Sequence, residues 1–257
     1  MRGYGEPLIS GKPQSLQNIN TAVILAGGGG LRLRPLTNHL PKAMIPLAGK
    51  PIIGWIIEWL LRNGISRIVV GVAYKKEIVT EYLSSLSLGV EFKISEHTVE
   101  GGTGEGFRLA IQRHVNDNAF LAMNGDEITN IPISEFADFH FQNGGLATIA
   151  VSHLRSPFGV VEISGNKIVG FREKAVLDAY VSAGVYIFDH GIMPFLPAKG
   201  NIEADTFPKL AQDGKLSAYK HTGFWGTVNT LKDLREIELN LMNGVLLNQQ
   251  NQRSLHD

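Results

Sequence analysis

The run Thr21-Ala-Val-Ile-Leu25, followed after Ala26 by the four glycines Gly27 to Gly30, constrains this chain more than any other stretch. A short apolar run that meets a block of glycines reads as a buried strand opening into a tight loop. Glycine tolerates positive φ, and it lets the backbone approach a ligand closely. Successive N–H groups in such a loop form a nest for anions. Arg32, Arg34 and Lys42 follow shortly after. They can neutralise phosphate charge, arginine through a two-pronged fork. The stretch therefore reads as a loop for a nucleoside triphosphate.

Two better-known phosphate loops are excluded. A Walker A loop ends in Gly-Lys-Ser/Thr, and no Gly-Lys pair here is followed by Ser or Thr. The dinucleotide fingerprint G-x-G-x-x-G also fails: counted from Gly27 its last position is Arg32, and from Gly28 it is Leu33. What remains is G-G-x-G-x-R-L-x-P-L-T over Gly27 to Thr37, with Pro41-Lys42 after it. This string closely resembles the signature of the sugar-1-phosphate nucleotidyltransferases, or nucleotide-sugar pyrophosphorylases. One departure is Leu31, where the family usually has Thr or Ser.

The charge balance is even, with 24 basic and 24 acidic residues. Neither a nucleic-acid polymer nor an anionic membrane is suggested as a partner. There is no cysteine, which removes disulfides, thiolate metal sites and thiol nucleophiles. No apolar run approaches the roughly 18 residues that span a bilayer, and the first 20 residues lack the apolar core of a signal peptide. The expectation is a cytoplasmic protein with a flexible arm over residues 1–20, one domain over 21–243 and a polar tail over 244–257. Homo-oligomerisation is left open.

Strands and helices alternate, which predicts an α/β fold with a mainly parallel sheet covered on both faces. Helices are expected over 51–63, 75–83, 104–114, 133–143, 207–212 and 231–243. Strands are expected over 67–72, 90–95, 119–123, 146–151, 180–188 and 216–220. Val160–Ile163 and Lys167–Phe171 read as a hairpin around a Gly-Asn turn. The family resemblance implies a three-layer α/β/α, Rossmann-like nucleotidyltransferase fold with a mixed, mainly parallel central sheet. Ligands in such sheets sit at the carboxyl ends of strands. The glycine loop and Asn124-Gly-Asp126 both follow strands, so they can line one edge.

Asp126, at the mouth of a buried strand, is placed to hold a divalent cation or to cap the next helix. Mg²⁺ prefers carboxylate oxygens and shares itself with substrate phosphates. The resemblance favours Mg²⁺, since family members carry a metal-binding aspartate in this N-G-D segment. It further implies catalytic roles for Arg32, Lys42 and Asp126. Nucleotide contacts would come from Leu25, Ala26, Gly27, Gly28, Gly30, Glu96, Gly102 and Thr103. Glu105 stands open between base contact and loop structure. Phe158-Gly159-Val160 and Phe171-Arg-Glu-Lys174 resemble the Y-G-V and F-x-E-K elements. With Ser182 and Trp225 they give sugar-phosphate contacts at Gly159, Glu173 and Lys174. The segment Gly223 to Asp233 resembles the closing stretch that supplies a second metal-binding aspartate. This chain offers Asn229 there, or Thr227 in an alternative register. The histidines show no metal-ligand spacing and read as surface or packing residues.

The reaction implied is sugar 1-phosphate plus NTP giving NDP-sugar and pyrophosphate, with the base and sugar unspecified. Two rivals remain at this level. One is a nucleotide-sugar-binding regulatory subunit with little turnover, favoured by Leu31 and Asn229. The other is a nucleotidyltransferase for an alcohol phosphate, against which Trp225 and the F-x-E-K element speak.

Overall fold

The computed structural model describes residues 19–245. The expected arm and tail lie outside the described residues, except for 19–20 and 244–245. The strands are β1 (Thr21–Leu25), β2 (Pro46–Leu47), β3 (Lys50–Pro51), β4 (Arg67–Val72), β5 (Glu91–Glu96), β6 (Ala119–Asn124) and β7 (Glu127–Thr129). They continue with β8 (Ala147–Arg155), β9 (Val160–Ser164), β10 (Lys167–Arg172), β11 (Val176–Asp189), β12 (Leu216–Lys220) and β13 (Trp225–Thr227). The α-helices are α1 (Ile52–Arg62), α2 (Lys76–Ser85), α3 (Gly102–His114), α4 (Ile133–Asn143), α5 (Ile202–Asp205), α6 (Phe207–Gln212) and α7 (Leu231–Met242).

Seven strands form the central sheet in the order β12-β8-β11-β6-β1-β4-β5. Only β11 runs against its neighbours, antiparallel to both β6 and β8. β1 lies inside the sheet beside the middle strand β6, parallel to β4 and β6. Its side chains alternate between two cores, as a pleated strand requires. Ala22 and Ile24 face the core built with Ile53, Ile56 and Leu60 of α1. Val23 faces the other, with Phe107, Ala110 and Ile111 of α3. Fully burying each large aliphatic side chain contributes about 1.5–3 kcal/mol. This explains why the central strands read as continuous apolar runs.

The parallel register aligns the carboxyl ends of β1 and β6: Leu25 pairs with Asn124. The chain after β6 turns tightly onto β1, and the Gly125 N–H donates to the Leu25 carbonyl at 2.8 Å. A Cβ on Gly125 would stand 2.6 Å from that same oxygen, so only glycine permits this approach.

Four short strands were not foreseen: β2 and β3, which pair with each other, and β7 and β13. β7 and β13 pair antiparallel, with Thr227 opposite Glu127. They are too short to show a period, and Asp126 and Asn229 meet because of them. The strand at 146–151 extends through Arg155, and that at 180–188 begins at Val176.

Candidate active site

A cleft of about 570 Å³ opens over the carboxyl ends of β1, β5 and β6. The glycine loop forms its floor. Gly30 has φ of 57°, and a Cβ there would meet Thr37 Cγ2 at 2.9 Å and Lys42 Cβ at 3.1 Å. The Thr37 hydroxyl donates to the Gly30 carbonyl at 2.9 Å. The loop thus folds back on the segment that carries Lys42.

Four polar side chains converge at this end. The Lys42 ammonium pairs with the Asp126 carboxylate and donates to Asn229 Oδ1 at 3.0 Å. An Arg32 guanidinium nitrogen reaches the same Asn229 oxygen at 3.1 Å. The Val228 N–H donates to the Asp126 carbonyl at 3.1 Å, continuing the β7–β13 pairing. The start of α7 fixes the residue beyond. Thr230 and Asp233 form a capping box, and Asp233 also accepts the Asn229 N–H at 3.0 Å. Asn229, and not Thr227, therefore lines the cleft; the Asn229 amide donates to the Thr227 hydroxyl at 3.1 Å.

The other end of the cleft differs in character. It is lined by His97, Val99, Gly102, Thr103 and Asn201. The first amides of α3 are taken: the Thr103 N–H donates to Asn201 Oδ1 at 3.3 Å, and the Gly104 N–H to the Gly200 carbonyl at 2.9 Å. The Thr103 hydroxyl donates to Glu203 at 3.0 Å. Glu105 accepts from the Thr98 N–H and hydroxyl at 2.8 and 2.7 Å, so it builds the loop. Those hydrogen bonds hold its carboxyl below the usual range. Glu96 is outside the cleft lining and pairs with Lys76 at 2.6 Å.

Leu25, Ala26, Gly27, Gly28, Gly30, Gly102 and Thr103 all line the cleft with Arg32, Lys42, Asp126 and Asn229. The residues expected at the sugar phosphate do not. The Trp225 indole N–H donates to Glu127 and to the Ala183 carbonyl, both at 2.9 Å. Ser182 accepts the Gly184 N–H at 3.2 Å. Gly184, with φ of 66°, lies where a Cβ would meet Glu127 Cγ at 2.8 Å. Lys174 pairs with Glu236 of α7 at 3.2 Å, Glu173 is exposed, and Gly159 sits under the Phe171 ring.

Sequence reasoning missed two groups. Glu127 is buried beside Asp126. Burial pushes its carboxyl well above the usual range, and the Asp126 charge adds to this. His97 follows β5 at the edge that carries the cleft. Its place after a parallel strand is the signal that could have found it.

The matched family model is that of the nucleotidyl transferases, over residues 21–244. This chain belongs to that family, in its sugar-1-phosphate branch. It is 29% identical over 242 residues to a Bacillus subtilis (strain 168) protein named "Probable glucose-1-phosphate cytidylyltransferase", covering 84% of this chain and 94% of that protein. It is 34% identical over 221 residues to the mannose-1-phosphate guanylyltransferase catalytic subunit beta of Dictyostelium discoideum, covering 82% of this chain and 62% of the relative. It thus spans about three-fifths of the guanylyltransferase relatives and nearly all of the Bacillus protein. In fold it resembles the inositol-1-phosphate CTP transferase of T. maritima, with a TM-score of 0.70 over 90% of this chain and 97% of the other at 22% identity. No helix among the described residues is long and apolar enough to cross a membrane.

The donor set bears on magnesium. Asp126 and Asn229 each bring an oxygen to one cation, the Lys42 ammonium. Oxygens that converge on an ammonium can converge on a metal ion. One of the two is charged, and no group of three or more acidic or histidine ligands exists among the described residues. The residues fit an ion that draws most of its ligands from phosphate and water.

Proposed function

We propose that this chain joins an NTP to a sugar 1-phosphate, releasing pyrophosphate and an NDP-sugar. The observation that carries the reading is the convergence of Arg32, Lys42, Asp126 and Asn229 beside the glycine loop. An anionic oxygen of the sugar phosphate attacks the α-phosphorus in line, and the bond to pyrophosphate breaks. The second pKa of a phosphate monoester is near 6, so the nucleophile is already charged at neutral pH. No protein base is needed, and the work is positioning and charge stabilisation.

Arg32 is exposed and extends from the loop, which suits it to the β- and γ-phosphates and the leaving pyrophosphate. Lys42 is less than one-fifth exposed, and from there its ammonium serves the α-phosphate. Magnesium, held by Asp126 and Asn229, would neutralise further phosphate charge. Glu173 and Lys174 stand as the sugar-phosphate side, on the loop after β10. A cytoplasmic site of action is part of this reading, because its charged substrates do not cross a bilayer unaided.

The test is a matrix of CTP, GTP, UTP and dTTP against glucose 1-phosphate, mannose 1-phosphate and inositol 1-phosphate with Mg²⁺, read as pyrophosphate release. Turnover with one or more sugar phosphates is expected. Turnover confined to inositol phosphate, or none with any pair, overturns the reading.

A further inference from the structure

We infer that Thr227 is a positioning residue, whose hydroxyl keeps the Asn229 amide turned with its oxygen toward the cleft. The inference rests on the cleft's holding a triphosphate and its metal ion, as proposed above.

The backbone of Asn229 has little freedom. Its N–H donates to Asp233 at 3.0 Å, and the Thr230–Asp233 capping box fixes the residue after it. On the other side the Val228 N–H is bonded to the Asp126 carbonyl. What stays free is the last side-chain torsion, which is broad and roughly two-fold. A half-turn about it exchanges the amide oxygen for the NH₂ group. The oxygen accepts from a cationic donor and can ligate a metal ion; the NH₂ group only donates and can do neither. A turned amide would point its N–H bonds at Lys42, at Arg32 and at any metal ion beside Asp126.

Two sets of partners hold the oxygen outward. On the cleft side Lys42 and Arg32 donate to Oδ1 at 3.0 and 3.1 Å. On the far side Nδ2 donates to the Thr227 hydroxyl at 3.1 Å. The first set is given up when the site fills, because both cations then turn to phosphate. The Thr227 bond is the one that a bound triphosphate leaves in place.

The direction of that bond is set one layer further in. Thr227 stands opposite Glu127 in the β7–β13 ladder, which brings the two side chains together on one face. Trp225, two residues earlier and on the same face of β13, donates its indole N–H to the buried Glu127 carboxyl at 2.9 Å. The Thr227 hydroxyl hydrogen-bonds the same carboxyl. With its one proton given to Glu127, the hydroxyl has only lone pairs left for Asn229. It accepts from Nδ2 and repels the oxygen. Glu127, Thr227 and Asn229 thus form a line of hydrogen bonds from a buried carboxyl to the cleft. A carboxylate at position 229 would need no such guide, since both its ends are oxygens.

The test is a double-mutant cycle between Asn229→Asp and Thr227→Val, which removes the hydroxyl at nearly unchanged shape. Thr227→Ala, which also lacks the hydroxyl, is run in parallel with the same expectations. Mn²⁺ is the probe ion. Its binding to the protein with CTP, GTP, UTP or dTTP is read from the relaxation of water protons. The Mg²⁺ concentration for half-maximal pyrophosphate release is read alongside, and thermal melts confirm folding. Thr227→Val should weaken Mn²⁺ binding about 10-fold and raise the Mg²⁺ requirement to match, the lower end of what loss of an outer-shell partner costs. Thr227→Ser keeps the hydroxyl and should stay within about threefold of wild type. On the Asn229→Asp background, Thr227→Val should change Mn²⁺ binding by less than about threefold, because that side chain has no wrong face. A merely structural role predicts the same loss in both backgrounds, since Glu127 loses a donor in each. Equal losses, no loss when Asn229 is present, or a folded Thr227→Ser that behaves like Thr227→Val overturn the inference. So does a wild type that binds Mn²⁺ with none of the four nucleotides. If Mn²⁺ follows the expected pattern but no pyrophosphate is released, the proposed reaction fails and the inference stands. If pyrophosphate is released and Thr227→Val leaves Mn²⁺ binding unchanged, the reaction stands and the inference falls.

Discussion

The Lys42 ammonium lies 3.0 Å from the side-chain oxygen of Asn229, across 187 residues of sequence. The same ammonium pairs with Asp126, and Arg32 shares the Asn229 oxygen. Two cations are thus held by one carboxylate and one neutral amide. With one formal negative charge against two positive, the cluster has a surplus of positive charge to offer phosphate. A second carboxylate at position 229 would cancel that surplus. The surplus suits tight phosphate binding, and the missing charge suits weak metal binding.

Removing either cation should slow the reaction. Lys42→Ala and Arg32→Ala are each expected to lower kcat by about 10²-fold or more, the scale found when one preorganised charge stabiliser is lost. Steady-state pyrophosphate release checks this. Rates near wild type in both variants would detach the glycine loop from catalysis.

Asp126 should matter for metal and not for folding. It lies in a turn, about one-fifth exposed, and its side-chain bond is to Lys42. Asp126→Ala is expected to abolish Mg²⁺-dependent turnover while keeping a cooperative melt. Loss of the melt along with the activity would make Asp126 a structural residue.

The inner strands of the central sheet were legible because they are buried on both faces. Arg67–Val72 and Ala119–Asn124 announce themselves by apolar runs. β7 and β13 were not legible: three residues carry no period, and their pairing is set by tertiary contact. The same limit applied to the site. Arg32, Lys42 and Asp126 stand in a recognisable string or after a strand. Glu127 is a functional candidate only because Trp225 and Gly184 surround it. No local pattern encodes such surroundings.

The α7 cap links stability to the site. The Thr230 hydroxyl accepts the Asp233 N–H at 3.2 Å. Thr230→Ala removes this bond and should cost about 1 kcal/mol, a fall in Tm of roughly 2–4 °C for a domain of this size. A thermal melt reads this directly. No shift in Tm would mean that the cap adds nothing to the folded state.

His140 should make stability depend on pH. It is buried, with Nδ1 2.8 Å from the Thr148 hydroxyl, and burial holds its pKa below the ordinary 6.5. The unfolded chain then binds more protons between the folded pKa and about 6.5, so stability rises with pH across that window. The contribution is complete above about 6.5 and is lost as pH falls through the folded value. Tm should drop as pH is lowered from 7.5 to 5. His140→Gln should reduce that slope without abolishing it, because burial lowers the pKa of His221 and His97 as well. A slope unchanged by the substitution would place the pH dependence elsewhere.

Asn229 offers the sharpest test of how the site handles metal. Its oxygen already faces a cation, so position and direction suit an ion, but an amide brings no charge. Hard divalent ions favour carboxylate oxygens. Asn229→Asp is therefore expected to lower the Mg²⁺ concentration for half-maximal rate. It should also raise the KM for NTP, since the new charge pairs with Arg32 and Lys42 and competes with phosphate. Opposite movements of these two constants are the signature, measured by titrating Mg²⁺ at saturating NTP and then NTP at saturating Mg²⁺. If neither constant moves in an active variant, Asn229 does not face the metal during turnover. If only the KM for NTP rises, residue 229 serves phosphate alone and Asp126 holds the ion without it.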